Sequence, residues 1–152
     1  MMSIEPFDCT QVDSLEPLVD ELVSSHPGLS FRQDYWGACR DWIGSVNADP
    51  DAAIYVARSA GEIIGVAVGA IRENGPLLSP EKIGHVPMLV VAPAHRRRGV
   101  GRQLWRVLCE WFASKGMREV QLFTDVNGDV SRAFWGSCGF QVVLERRTRE
   151  IE

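Results

Sequence analysis

The spacing of apolar positions changes from helical to extended and back along the chain. Val12, Leu15, Leu18, Val19, Leu22 and Val23 recur at helical spacing behind Thr10 or Asp13, either of which suits an N-cap, and His26-Pro27-Gly28 stops that helix. Residues 3–8 ahead of it read as a short first strand. A second helix is predicted from about Asp34 to Val46, with Trp36, Cys39, Trp42, Ile43 and Val46 inward, followed by a loop over 47–51. Then the period becomes extended. Ala53–Ala57 and Ile63–Ile71 flank Ser59-Ala60-Gly61-Glu62, the signature of a hairpin. Glycines and alanines make the second of these strands thin and able to accept close neighbours.

Asn74-Gly75-Pro76 turns the chain, and Ile83–Val91 is a further strand closed by Pro93. Pro87 lies inside it without an N–H to share, so a bulge is expected there. Over residues 99–116, Val100, Leu104, Val107, Leu108, Trp111 and Phe112 form one apolar stripe, and Lys115-Gly116 supplies a C-terminal cation and a stop. Val120–Thr124 reads as a strand, and Asp129 or Ser131 begins a short helix through Cys138. Phe140–Leu144 is expected to form a last strand, its charged tail suiting an exposed edge. The order β-α-α-β-β-β-α-β-α-β implies an α/β three-layer arrangement, an antiparallel meander preceding a βαβ unit.

With no repeat or linker, residues 1–152 are read as a single domain, and 45% hydrophobic with 24% charged residues fills one core. The longest apolar-plus-glycine run, Ile63–Ile71, is far short of a bilayer span, and Met1–Pro6 shows no export signal. Cys9, Cys39, Cys109 and Cys138 form no CxxC pair and read as reduced thiols of a cytoplasmic protein, with no metal site. The net charge of −4 argues against nonspecific nucleic-acid binding. Its distribution is uneven. Residues 1–60 hold ten carboxylates against Arg32, Arg40 and Arg58, a balance of −7, so the remainder carries +3, much of it at Arg96, Arg97, Arg98, Arg102 and Arg106. A cationic knot on an acidic protein suits a small polyanion better than a long one.

The chemistry is concentrated in Val91-Ala92-Pro93-Ala94-His95-Arg96-Arg97-Arg98-Gly99-Val100-Gly101-Arg102. A buried strand ends, a loop presents three arginines, and two glycines open an amphipathic helix. The first turn of a helix has unpaired N–H groups and the positive end of the dipole. Glycine removes side-chain bulk there, and arginine adds forked donors, which together form a pyrophosphate cradle. A Walker-type GxxxxGK[ST] is absent, and residue 104 is Leu where a dinucleotide GxGxxG would need its third glycine.

Val91-x-Pro93-x-x-Arg96-x-x-Gly99-x-Gly101, followed by Ala133-Phe134-Trp135-Gly136-Ser137-Cys138-Gly139-Phe140, resembles the two signatures of the GNAT N-acetyltransferase superfamily. The resemblance covers residues 83–144 most strongly. It implies a mixed, mostly antiparallel sheet with a central splayed parallel strand pair and helices on both faces. It further implies acetyl-CoA as cosubstrate, with no metal, and direct transfer to a primary amine of a small molecule or peptide. The pantetheine arm would lie against Leu89, Val90 and Val91. The pyrophosphate would take amides from Arg97 through Arg102, helped by Arg96. A backbone N–H near Leu89 or Val90 would stabilise the oxyanion. An acyl-CoA-binding sensor or partner domain without turnover is the alternative of the same fold. Neither nucleic acid nor membrane is an expected partner, and a homodimer is left open.

An alkylammonium of pKa about 10.4 must lose a proton before it can attack. His85 is the expected base, since it lies on the cleft strand where the family often carries Glu or His. His26 reads as a loop residue, and His95 as a neighbour of the phosphates. Trp135 departs from the resemblance, which has Tyr there as proton donor to the thiolate. An indole N–H cannot take that role, leaving Ser131, Ser137, Cys138 or unassisted departure. Asn127 could meet the pantetheine amides, and Trp135 could wall the channel. Tyr35, Trp36 and Trp42, with Glu21, Asp34 and Asp41, read as core and solvated helix faces ahead of a cation site.

Overall fold

Alternation of apolar side chains along the middle of the chain builds the sheet on which everything else rests. In the computed structural model, which describes residues 1–152, the strands are β1 (Met2–Pro6), β2 (Ala52–Ser59), β3 (Glu62–Glu73), β4 (Lys82–Val91) and β5 (Val120–Gln121), and they lie in that order. β1 to β4 are antiparallel, whereas β4 and β5 are parallel. The β2–β3 hairpin turns at Ala60 and Gly61, both with positive φ, as a tight two-residue turn requires.

The helices are α1 (Glu16–Ser24), α2 (Tyr35–Ala48), α3 (Val100–Ser114) and α4 (Asp129–Ser137). α1 and α2 cover one face, where Leu15, Leu18 and Ile43 meet Val56, Val66, Val68, Met88 and Val90. α3 covers the other, placing Leu104, Leu108 and Phe112 against Ala57, Ala67, Val86 and Val91. Each fully buried Val, Leu, Ile, Phe or Met among them contributes about 1.5–3 kcal/mol. The expected three-layer arrangement, with its parallel pair, is therefore present.

The thin strands serve as seats. A Cβ at Gly69 would stand 2.9 Å from Leu108, and one at Gly84 only 2.7 Å from Phe112, so the backbone itself receives the α3 stripe. The expected bulge in β4 also forms. Val68 faces Met88, but two residues on, Ala70 already faces His85, so β4 carries the extra residue around Val86 and Pro87.

Three expectations are corrected. The first helix is capped by neither Thr10 nor Asp13. Asp8 accepts from the Thr10 backbone N–H at 3.0 Å and opens a 3-10 stretch over Cys9–Leu15, and Pro17 then starts α1 as a separate helix. β5 stops at Gln121 rather than Thr124, because the bulge and the missing Pro87 N–H turn the β4 edge away. Phe140–Leu144 forms no strand. With β5 so short, no edge is available to pair with it, and Val142, Val143 and Leu144 are exposed.

Gly84→Ala is expected to destabilise the fold by about 1–3 kcal/mol through overpacking against the Phe112 ring. Chemical denaturation measures this, and a wild-type midpoint would show that α3 is not seated on the strand.

Candidate active site

The parallel ladder joins only Gly84 with Val120 and His85 with Gln121. Beyond those pairs the strands part, and a cleft of about 60 Å³ opens between them. Its walls are β4 over Val86–Leu89, the residues after β5 at Leu122 and Phe123, Leu22 of α1 with His26 just after that helix, and α4 at Ser131 and Trp135. A larger recess of about 180 Å³ lies elsewhere, and six of its eight lining residues, Phe7, Val46 and Ile54 among them, are hydrophobic.

Past the cleft, β4 continues to Val91 and into the loop that leads to α3. Gly99 precedes α3 with φ of +78°, and Arg97 also has positive φ, at +61°. The first helical bond runs from Gln103 N to Gly99 O at 3.0 Å, and no backbone N–H from Arg97 through Arg102 has a backbone partner. These are the amides that the sequence assigned to a diphosphate, gathered at the positive end of a fifteen-residue helix. A Cβ on Gly101 would press on the Phe134 ring at 3.3 Å, so glycine there lets α4 close over the cradle. Val100 is buried beneath it.

The arginines divide their work. Arg96 donates from Nε to the Val91 carbonyl at 3.2 Å and from Nη2 to Glu21 at 2.8 Å, tying the loop to β4 and α1. Arg102 reaches Ser137 Oγ at 3.1 Å, and Arg98 is exposed. Ser137 itself donates to the Phe134 carbonyl at 2.6 Å, so its hydroxyl is occupied in α4. Ser131, by contrast, lines the cleft. Trp135 is buried in a cluster with Trp105, Phe134 and Phe140, ring centres 4.9–5.7 Å away, and shows one side to the cleft. Leu89 is half-buried and Val90 buried on β4; Asn127 is exposed in the loop before α4.

His85 is half-buried, and Phe123 stands edge-on to it at 5.9 Å. Its Nδ1 lies 3.1 Å from the Gln121 carbonyl. A carbonyl only accepts, so Nδ1 carries the hydrogen and Nε2 is left with its lone pair. Burial, reinforced by the Arg72 charge, lowers its pKa against the opposing effect of that hydrogen bond. The first two helices are less of a cation trap than their composition implies. Arg32 pairs with Asp34, Arg40 with Asp13 and Arg96 with Glu21, while Tyr35 binds Asp20.

Asp125 was not singled out from sequence. One of its carboxylate oxygens accepts from the Asn127 N–H at 2.9 Å and the other from the Gly28 N–H at 3.3 Å. The first contact is legible in Asp125-Val126-Asn127-Gly128 as a local turn. The second joins residues 97 positions apart and leaves no local trace.

The acetyltransferase (GNAT) family profile matches residues 15–140. The chain belongs to that family. Over 90 residues it is 30% identical to rat (Rattus norvegicus) N-acetyltransferase family 8 member 3, covering 59% of this chain and 39% of that protein. Over 87 residues it is 29% identical to the mycothiol acetyltransferase of Amycolatopsis mediterranei, covering 57% and 29%. The chain thus spans well under half the length of these relatives. Among solved structures, an aminoglycoside 6'-N-acetyltransferase from Acinetobacter haemolyticus superposes with a TM-score of 0.78 at 20% identity, over 99% of both chains. A protein from Clostridium acetobutylicum described as a predicted acetyltransferase, solved with acetyl-CoA, gives 0.82 at 16% identity, over 99% of this chain and 96% of that one. These likenesses place the fold.

Gly101→Asp sets a carboxylate and extra bulk among the free amides and should weaken CoA binding at least 100-fold. Titration calorimetry reads this, and unchanged affinity would remove the cradle from the site.

Proposed function

We propose that the chain is an acetyl-CoA-dependent N-acetyltransferase that moves the acetyl group directly to a primary amine of a small molecule or peptide. The observation that carries this reading is the run of free amides from Arg97 to Arg102 at the start of α3, which follows directly on the strand that parts from β5. The residues fit coenzyme A: the amides of Arg97–Arg102 and the Arg97, Arg98 and Arg102 side chains would hold the diphosphate. The open edge of β4 at Leu89–Val91, with Trp135 and Asn127 opposite, would receive the pantetheine arm. When bound, the cosubstrate supplies an acetyl thioester activated toward amines.

The protein's share of the chemistry follows from position and charge. In an antiparallel strand, successive residues turn their N–H groups to opposite edges, so one of Leu89 and Val90 directs its amide into the fork. That amide is placed to stabilise negative charge developing on the carbonyl oxygen, in a cleft lined mostly by hydrophobic residues. His85 takes the ammonium proton through Nε2, and its lowered pKa keeps it unprotonated at neutral pH. The similarity to an aminoglycoside 6'-N-acetyltransferase and to a mycothiol acetyltransferase favours a small amine acceptor here. Four free cysteines suit a reducing, cytoplasmic setting, and a homodimer is compatible with the exposed C-terminal segment.

Incubation with acetyl-CoA and a panel of polyamines, aminoglycosides and arylalkylamines, following free thiol, tests the reaction; thiol release with none of them would favour a binding module without turnover. In that assay kcat/KM should fall only below about pH 6.5, the ordinary histidine value, because His85 ionises below it in the folded protein. His85→Gln should lower the rate about 100-fold near pH 7 and abolish that acid limb. An unchanged limb would acquit His85.

A further inference from the structure

Of the ten residues lining the cleft between β4 and β5, His26 is the single one with an ionisable side chain. Its ring is pinned. Nδ1 lies 2.7 Å from the Leu22 carbonyl at the end of α1, with the Ser25 hydroxyl at 3.3 Å. Because the carbonyl can only accept, Nδ1 bears the hydrogen, and Nε2 is the atom left to exchange a proton. The turn that carries it is fixed from the far wall as well, since the Gly28 N–H donates to Asp125. His26 is thus a cleft-lining residue whose ring and turn are both held, with no protein partner at Nε2.

Proton bookkeeping defines what it can do. An ammonium that becomes an amide sheds two protons, and His85 accounts for the first. The second leaves nitrogen as the C–N bond forms and the C–S bond breaks, with the sulphur keeping the electron pair of the broken bond. Trp135 faces the same cleft, but an indole does not ionise usefully and cannot reprotonate sulphur. Resting on the acetyl-transfer reading above, we propose that His26 Nε2 takes the second amine proton and passes it to the departing thiolate. His26 then ends the cycle as it began it. The proton on His85 goes to solvent.

The test separates this role from a structural one. His26→Asn keeps an N–H where Nδ1 stands, and with it the bond to Leu22, but has no proton carrier. It should leave the melting temperature and both KM values near wild type and lower kcat about 100-fold. An acceptor analogue fluorinated beside its nitrogen, and so largely neutral at the assay pH, should erase the His85→Gln defect but not the His26→Asn defect, whose proton departs after attack. Independently of turnover, the His26 imidazole resonances should shift on adding coenzyme A and not on adding its desulfo analogue. Wild-type kcat in His26→Asn, a defect confined to KM, or equal shifts with both ligands would overturn the assignment. Absence of thiol release from the wild-type protein would instead remove the acetyl-transfer reading, and this role with it.

Discussion

Two strands that begin side by side and then part open the cleft of this fold. A parallel pair normally continues its ladder, since an abandoned N–H or C=O in the interior costs about as much as a lost hydrogen bond. Here the β4–β5 ladder ends after His85, one residue before the bulge that holds Val86 and Pro87. Proline cannot donate, and the extra residue bends the strand, so the sheet tears along one seam. What remains is a row of backbone groups on β4 that a ligand with amides of its own can satisfy.

The tear is useful because a helix delivers its amides to the same corner. α3 begins where β4 has just ended, with a three-residue 3-10 turn and a left-handed Gly99 reorienting the chain between them. Arg96 stabilises the turn from outside through Val91 and Glu21, and Gly101 allows α4 to close over it. Backbone that is unsatisfied for geometric reasons thus stands on two elements that follow one another in the chain, and Trp135 with its aromatic neighbours packs beside the first of them.

Much of this was legible in the chain, and the division is physical. The α3 stripe, the glycine-bearing loop, the Pro87 bulge and the β2–β3 hairpin are local patterns, fixed by side chains a few residues apart. The end of β5 and the unpaired Phe140–Leu144 segment were not, because a strand exists only where a partner edge does, and propensity carries no record of the partner. The start of α1 was misassigned because Asp8, two residues before Thr10, reaches the amide first. His85 is legible as a residue of the strand that borders the cleft, although it is not one of the cleft's lining residues, whereas the Pro-Gly neighbours of His26 signal only a turn. Its standing on the cleft depends on Leu22 within one helix but also on Asp125, far away in sequence.

The glycine seats have one more consequence. α3 extends about 22 Å from its cradle to Ser114, and its far half bears directly on the main chain at Gly69 and Gly84. A rigid rod bedded on bare backbone has no side chains to absorb a change, so enlarging either seat levers the opposite tip. Substitutions near Phe112, remote from any substrate, would then surface in assays as poor coenzyme affinity and be mistaken for lesions of the active centre.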